Sequence, residues 1–289
     1  MRAVTDGRPG RGFTLVELLV GLVLGGVVLA GAYGVLLSSQ RFYRAQAAIL
    51  EVHQGVRAAV QVLVAELRDL DPGGGDIVAI GPDSISIHAP RRLAFVCANP
   101  RTGGRLVVRD TLSYGFRAVD PARDRALVLC DGGAAAAEPG WLDVAVTSAT
   151  AGARCDDGAA GTALVVAAPP GALDSVPDGS PVRTYEREVY RLYADDGGSW
   201  WLGERAFTDG GWAAISPVAG PLQARTGVRF AYLDSAGTPT ADPRAVARIS
   251  IAIRGLSSAP VPGSGGHQVR FADSLLTVVR PRNGRAAAP

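Results

Sequence analysis

Three regimes of apolar spacing divide the chain. From Leu18 to Leu37 the residues are continuously apolar, without charge or proline, and Tyr33 is the only aromatic. At about 1.5 Å of rise per residue this run forms a helix of about 30 Å, the thickness of a bilayer's hydrocarbon core. Ser38, Ser39, Gln40 and Arg41 then mark an exit into a polar phase, with Tyr33, Phe42 and Tyr43 around the interface. Beyond it Ile49, Val52, Val56, Val60, Leu63, Leu67 and Leu70 recur every three or four residues. Glu51, Gln54, Arg57, Gln61, Glu66 and Arg68 occupy the other faces, which is the period of an amphipathic helix. Asp71-Pro72-Gly73-Gly74-Gly75 is a firm stop. One helix from Phe13 to Leu70, about 87 Å long, is predicted. Its segment 13–37 spans the membrane and its segment 38–71 packs on a domain.

After Asp76 the helical period vanishes and strand signals follow. Expected strands are Ser84–His88, Leu93–Ala98, Arg105–Val108, Leu112–Val119, Ala126–Cys130, Leu142–Thr147 and Ala163–Ala167. Val182–Tyr193 alternates, and the Asp195-Asp196-Gly197-Gly198 turn returns it through Trp200–Phe207 as a hairpin. Gly227–Leu233, Ala247–Arg254 and Val269–Val279 complete the set. Loops are expected at Asp131–Gly140, Ala149–Gly161, Pro169–Pro181, Ser235–Pro243 and Ser257–Gly266, and a frayed tail at 281–289. The fold class is therefore α+β: a long N-terminal helix packed on a β-rich head spanning 76–280.

Charge and cysteine content narrow the function. All basic residues are arginine, and the net charge of the chain is +2. The first twelve residues hold Arg2, Arg8 and Arg11 against Asp6, so the remainder is balanced at 26 basic and 26 acidic side chains. A balanced head is not built mainly to hold nucleic acid, and the nearby acids Asp110, Asp120 and Asp124 dilute Arg91, Arg92, Arg101, Arg105 and Arg109, so DNA is not an expected partner. Basic residues before the span predict a cytoplasmic N-terminus with the head outside. There Cys97, Cys130 and Cys155 amount to one disulfide and one leftover thiol. The shorter loop favours Cys130–Cys155, with Cys97 as the alternative partner.

No constellation for catalysis is present. The chain lacks Gly-x-Ser-x-Gly, a P-loop and His-Glu-x-x-His, and His53, His88 and His267 are scattered, so no enzyme activity, cofactor or metal site is expected. Asp195-Asp196 and Asp156-Asp157 suit solvated turns better than calcium. Trp200, Trp201 and Trp212 with Tyr190 and Tyr193 suit a β-domain core better than a glycan surface. In the membrane run, Gly21-x-x-x-Gly25 has the form of a helix close-packing pattern, and Gly26, Gly31 and Gly34 add further small positions.

The odd residue is Glu17, a carboxylate at the lip of a membrane span, where it is costly unless paired. Arg11-Gly12-Phe13-Thr14-Leu15-Val16-Glu17 followed by the apolar run resembles the class III leader of type IV pilins and type II secretion pseudopilins. The resemblance implies a leader at 1–12, cleavage by prepilin peptidase between Gly12 and Phe13, and N-methylation of Phe13. It further implies that Glu17 neutralises a Phe13 α-ammonium, its own or a neighbour's. The segments Phe42–Leu70, Val189–Tyr193, Trp200–Arg205, Gly227–Asp234 and Val279–Asn283 resemble the W-class (PilW-type) minor pilins and the J-type pseudopilins, whereas the stretch from Asp76 to Pro181 resembles neither.

These features imply a minor, low-copy pilin that primes or tips pilus assembly. Its partners would be prepilin peptidase, other minor and major pilins, the inner-membrane assembly platform and membrane lipid. It would sit as a single-pass protein of the inner membrane, with passage into the fibre. Two alternatives stand beside it: a J-type pseudopilin of a type II secretion system, and a signal-anchored adhesin or binding domain outside any fibre.

Overall fold

The computed structural model describes residues 13–131, 140–208, 210–263 and 267–283. One helix, α1 (Leu15–Arg68), is followed by strands only, apart from two single 3-10 turns. At 54 residues α1 is about 80 Å long. It starts at Leu15 and not Phe13 because Thr14 is its N-cap, with extended backbone angles of −81° and 148°. Asp69 caps the other end. Along the second half Ala45, Ala48, Val52, Val56, Ala59, Leu63 and Leu67 are buried, which is the expected apolar stripe. Ile49 and Val60 lie at its margin, half-buried.

The strands form two lobes joined by two long members. They run β1 (Ile77–Ile80), β2 (Ser84–Ala98), β3 (Arg105–Arg109), β4 (Tyr114–Gly115), β5 (Asp124–Cys130), β6 (Gly140–Arg154), β7 (Ala160–Ala167) and β8 (Pro181–Ala194). Then come β9 (Trp200–Thr208), β10 (Gly211–Trp212), β11 (Ser216–Leu222), β12 (Val228–Leu233), β13 (Arg248–Leu256), β14 (Val261–Pro262), β15 (Gln268–Val269) and β16 (Ala272–Val279).

In the first lobe the early half of β2, the late half of β8, and β9, β11, β12, β13 and β16 pack on α1. Val52, Val56, Leu63 and Leu67 meet Ile85, Ile87, Tyr190, Leu202, Ile249, Ile251 and Ile253 in one core. In the second lobe the pairings β2–β3, β3–β7, β7–β6, β6–β5, β5–β8 and β8–β2 close a circle. Ala94, Val96, Leu106, Val108, Val128, Val144, Leu164 and Val182 fill this barrel. Closure leaves those six strands without a free edge.

Several expectations change. Ser84–His88 and Leu93–Ala98 are one fifteen-residue strand, which shifts register between Pro90 and Arg92 as it passes from one lobe to the other. A proline is tolerated at such a bulge. Leu112–Val119 is not a strand beyond the short β4: Leu112, Tyr114 and Phe116 alternate, but all three are exposed, so no core selects that register. The loop expected at Ala149–Gly161 is instead the far half of the β6–β7 hairpin, laddered to Arg154↔Ala160, with its turn at Gly158 in positive φ. Strands β1, β10 and β11 were not foreseen, and the short β14 forms inside the loop expected at Ser257–Gly266.

The tail is also shorter than expected. Pro281 is buried, the Arg282 N–H donates to the Arg68 carbonyl (2.7 Å), and Asn283 Nδ2 donates to the Asp69 carbonyl (3.0 Å). The chain's own C-terminal segment therefore takes up carbonyls at the end of α1 that no helical N–H can reach. Of the tail expected at 281–289, residues 284–289 lie outside the described residues.

Candidate functional site

The N-terminal junction is built by a reciprocal cap. Thr14 Oγ1 accepts from the Glu17 N–H (3.2 Å), while Glu17 Oε2 accepts from the Thr14 N–H (3.1 Å) and from the Thr14 hydroxyl (3.1 Å). The first helical bond, from the Leu18 N–H to the Thr14 carbonyl, closes at 3.2 Å. This is a capping box, and its signature, Thr14-x-x-Glu17, stands in the sequence. Thr14 is the functional residue that the sequence reading missed. A carboxylate in the first turn also complements the helix dipole. Glu17 therefore has a role within its own chain before any partner arrives, and all three contacts of the box spare Oε1.

Phe13 lies just ahead of the helix, non-helical and exposed. Gly12, the other side of the expected cut, lies outside the described residues. Behind the cap, an apolar window of the helix has mean hydropathy 2.3 and none of it is buried against the head. A Cβ placed on Gly21, Gly25, Gly26, Gly31 or Gly34 would meet nothing within 4 Å. Among the described residues no contact inside this chain requires those glycines.

The other candidate residues do not converge on a second site. Cys97 pairs with Cys155, Cα atoms 5.1 Å apart, and Cys130 is left as a free thiol, so the favoured Cys130–Cys155 bridge is corrected. Loop length was the wrong guide. Folding brings the end of β2 beside the β6–β7 turn, where the Asp156 N–H donates to the Cys97 carbonyl (3.2 Å). Cys130 instead lies at the end of β5, near the Ala172 carbonyl.

The arginines weighed for DNA scatter as well. Arg109 pairs with Asp157 (2.5 Å), and Arg92 donates to Ser113 (2.5 Å) and to the Arg117 carbonyl (3.0 Å). Asp195 accepts from the Ser199 N–H and from Trp201 Nε1, both at 2.8 Å, which makes it the organiser of a turn. Among the described residues no group of three histidine, cysteine, aspartate or glutamate side chains has the geometry of a metal site. Of the aromatics, Tyr190 is buried, Trp200 packs against the core and Trp212 is exposed beneath Arg205.

Arg91 is the centre of a buried ionic cluster between the lobes. It donates to Glu66 of α1 (2.9 Å) and to Glu186 and Glu188 of β8. Glu186 Oε1 also forms ion pairs with Arg117 (2.8 Å) and Arg123 (3.2 Å). Burial alone would raise the Glu186 carboxyl, yet the three arginines hold it below its usual value. Burial pushes Glu188 up to about 8, and the neighbouring Glu66 and Glu204 add to the rise, against the pull of Arg91. The cluster locks helix to head. It borders an open cleft lined by Glu66, Arg91, Phe116 and Arg117, and its ion pairs orient the elements around it.

A family model, the prokaryotic N-terminal methylation motif, matches residues 8–33. No curated protein and no solved structure matches the chain. The class is thus defined by the N-terminus: a protein with a class III prepilin leader feeding an apolar helix on a β-rich head. The match is confined to residues 8–33, and it makes the N-terminal segment similar to that of type IV pilins and pseudopilins.

Proposed function

We propose that this chain is a minor type IV pilin, cut by prepilin peptidase between Gly12 and Phe13, N-methylated on Phe13, and used to prime or tip a pilus. The observation that carries the reading is the contrast at α1. Its first half is apolar and untouched by the rest of the chain, and it begins at a capped carboxylate. A surface of that kind is stable only in lipid or among like helices.

In the mature protein the new amine of Phe13 is a cation one residue before the cap. Glu17 Oε1 is the acceptor that the capping box spares, so it suits the α-ammonium of a neighbouring subunit. Inside lipid such a pair is retained because loss of either member strands the other charge. The low-copy role is supported by the head, which adds a closed barrel beyond the helix-packed lobe and is bulky to repeat along a tight fibre. Prepilin peptidase, the assembly platform and other pilins follow as partners, with the leader in the cytoplasm and the head outside.

The mass of the mature N-terminus tests the cut: a methylated Phe13 is expected, and an intact Met1 or a cut at any other peptide bond would remove the reading. Glu17→Ala is expected to leave cleavage intact and to impair incorporation into the fibre. Normal incorporation of that variant would remove the charge-pair role.

A further inference from the structure

The last strand of the head has a bare edge. β13 carries β12 on one side and β16 on the other. The Arg254 N–H donates to the Gly227 carbonyl, and the Gln223 N–H to the Arg254 carbonyl, both at 2.8 Å. Arg254 therefore directs its backbone toward β12, and by alternation so do Ala252 and Ser250. Ile249, Ile251 and Ile253 turn the other way, to their partners Val279, Thr277 and Leu275. It follows that Ser274, Leu276 and Val278 of β16 point their N–H and C=O groups away from the sheet.

The Ser274 N–H is taken by the Asp273 side chain at 2.8 Å. Leu276 and Val278 have no backbone partner on that side among the described residues. Their side chains are 70% and 55% exposed, beside Ala252 and Ser250 on the outer face. Ala272–Val279 contains no proline, no basic residue and no register shift, which are the usual protections of an edge. The other margins offer less: the barrel is circular, the Phe230 N–H of β12 donates to the Pro82 carbonyl at 2.8 Å, and the edge strands β1 and β10 are only four and two residues long.

We propose that a strand from a different subunit of the assembly completes the sheet along β16, an inference that rests on the assembly-subunit reading. Unpaired backbone groups in a row are matched by an extended segment, and the exposed Leu276 and Val278 call for apolar side chains on its facing positions. A second copy of this chain does not fit. β16 runs in the same sense as α1, from Asp273 beside His53 (2.8 Å) to the segment after Val279 that meets Arg68 (2.7 Å). Antiparallel pairing of two copies would send their membrane helices in opposite directions. A parallel two-fold pair would set facing residues on opposite sides of the sheet.

The test uses the full chain in its native membrane with its assembly partners present, scoring fibre incorporation first. Leu276→Pro removes only an outward N–H, so it should keep the wild-type melting temperature while incorporation falls about tenfold. Leu276→Lys should give the same loss without touching the backbone. Leu275→Pro, which breaks the ladder to β13, should instead lower the melting temperature. In incorporated wild-type protein the Leu276 and Val278 amides should be protected from hydrogen exchange, and in the isolated chain they should not.

Incorporated protein with fast exchange at both amides, or wild-type incorporation of Leu276→Pro, overturns the inference and leaves the pilin reading standing. A Leu276→Cys, Cys130→Ser chain that crosslinks to itself overturns the choice of a different subunit. Normal incorporation of Glu17→Ala together with loss in Leu276→Pro supports the edge and counts against the charge pair alone.

Discussion

The two halves of α1 share one backbone and differ in what holds them. No residue of Leu15–Arg44 is buried, whereas from Ala45 onward every turn places an apolar side chain or glycine into the head. From Leu18 to Leu37 the first half is apolar on every side, as suits a helix with like surroundings all round. The second is striped because one side meets a core and the other water. The glycines show the same division. Gly55 lets α1 approach β11, where an added Cβ would lie 2.3 Å from the Gly220 carbonyl, while Gly25 has open space around it. The head half thus carries its reasons within the chain, and the membrane half carries them in whatever surrounds it.

The sharpest test of that division is a pair of truncations. Leu63→Ala empties a fully buried site and should cost the head about 2–5 kcal/mol by thermal denaturation of the solubilised chain. Leu22→Ala should leave the same transition within about 0.5 kcal/mol. If Leu22→Ala destabilises the head comparably, the membrane half is not independent of it.

The glycine pair should follow at a smaller scale. Gly55→Ala forces backbone against backbone and should cost about 1–3 kcal/mol. Gly25→Ala should leave head stability unaltered and show itself only in fibre incorporation, where close approach of helices matters. An unaltered melting temperature in Gly55→Ala would mean that α1 and β11 can part without loss.

The ionic link between Glu66 and the head gives a pH test. The Glu188 carboxyl is raised from 4.5 to about 8 in the folded chain. The folded state therefore binds a proton that the unfolded state releases, so this contribution is complete below the unfolded value and is lost as pH rises through about 8. Relative to Glu188→Gln, the wild type should lose melting temperature between about pH 5 and about pH 9. Parallel curves for the two proteins would show that Glu188 is already ionised. The smallest effect is expected from Asn283→Ala, which removes one bond to the end of α1 and should cost about 0.5–1.5 kcal/mol.

Much of this was legible in residue order because it depends on near neighbours. The span, the stripe from Ile49 to Leu70 and the hairpin of β8 and β9 follow from local period and turn chemistry. Thr14 was equally legible as the first residue of a capping box. Elsewhere the signal was misleading. Leu112, Tyr114 and Phe116 alternate as a strand would, yet no second layer exists to bury them. In β8 the inward face carries Glu186 and Glu188, which charge alone would assign to solvent; Arg91, distant in sequence, makes their burial tolerable.

The sequence by itself determined that this is a chain with an N-terminal methylation motif, a membrane-length helix and a β-rich head, since motif, apolar length and periodicity are local properties. Only the tertiary structure decided that Cys97 and not Cys130 meets Cys155, that β2 and β8 run through both lobes and close the barrel of the second, and that β16 is left with an open edge. Those outcomes depend on which distant strands lie side by side, and long-range pairing leaves little trace in local composition.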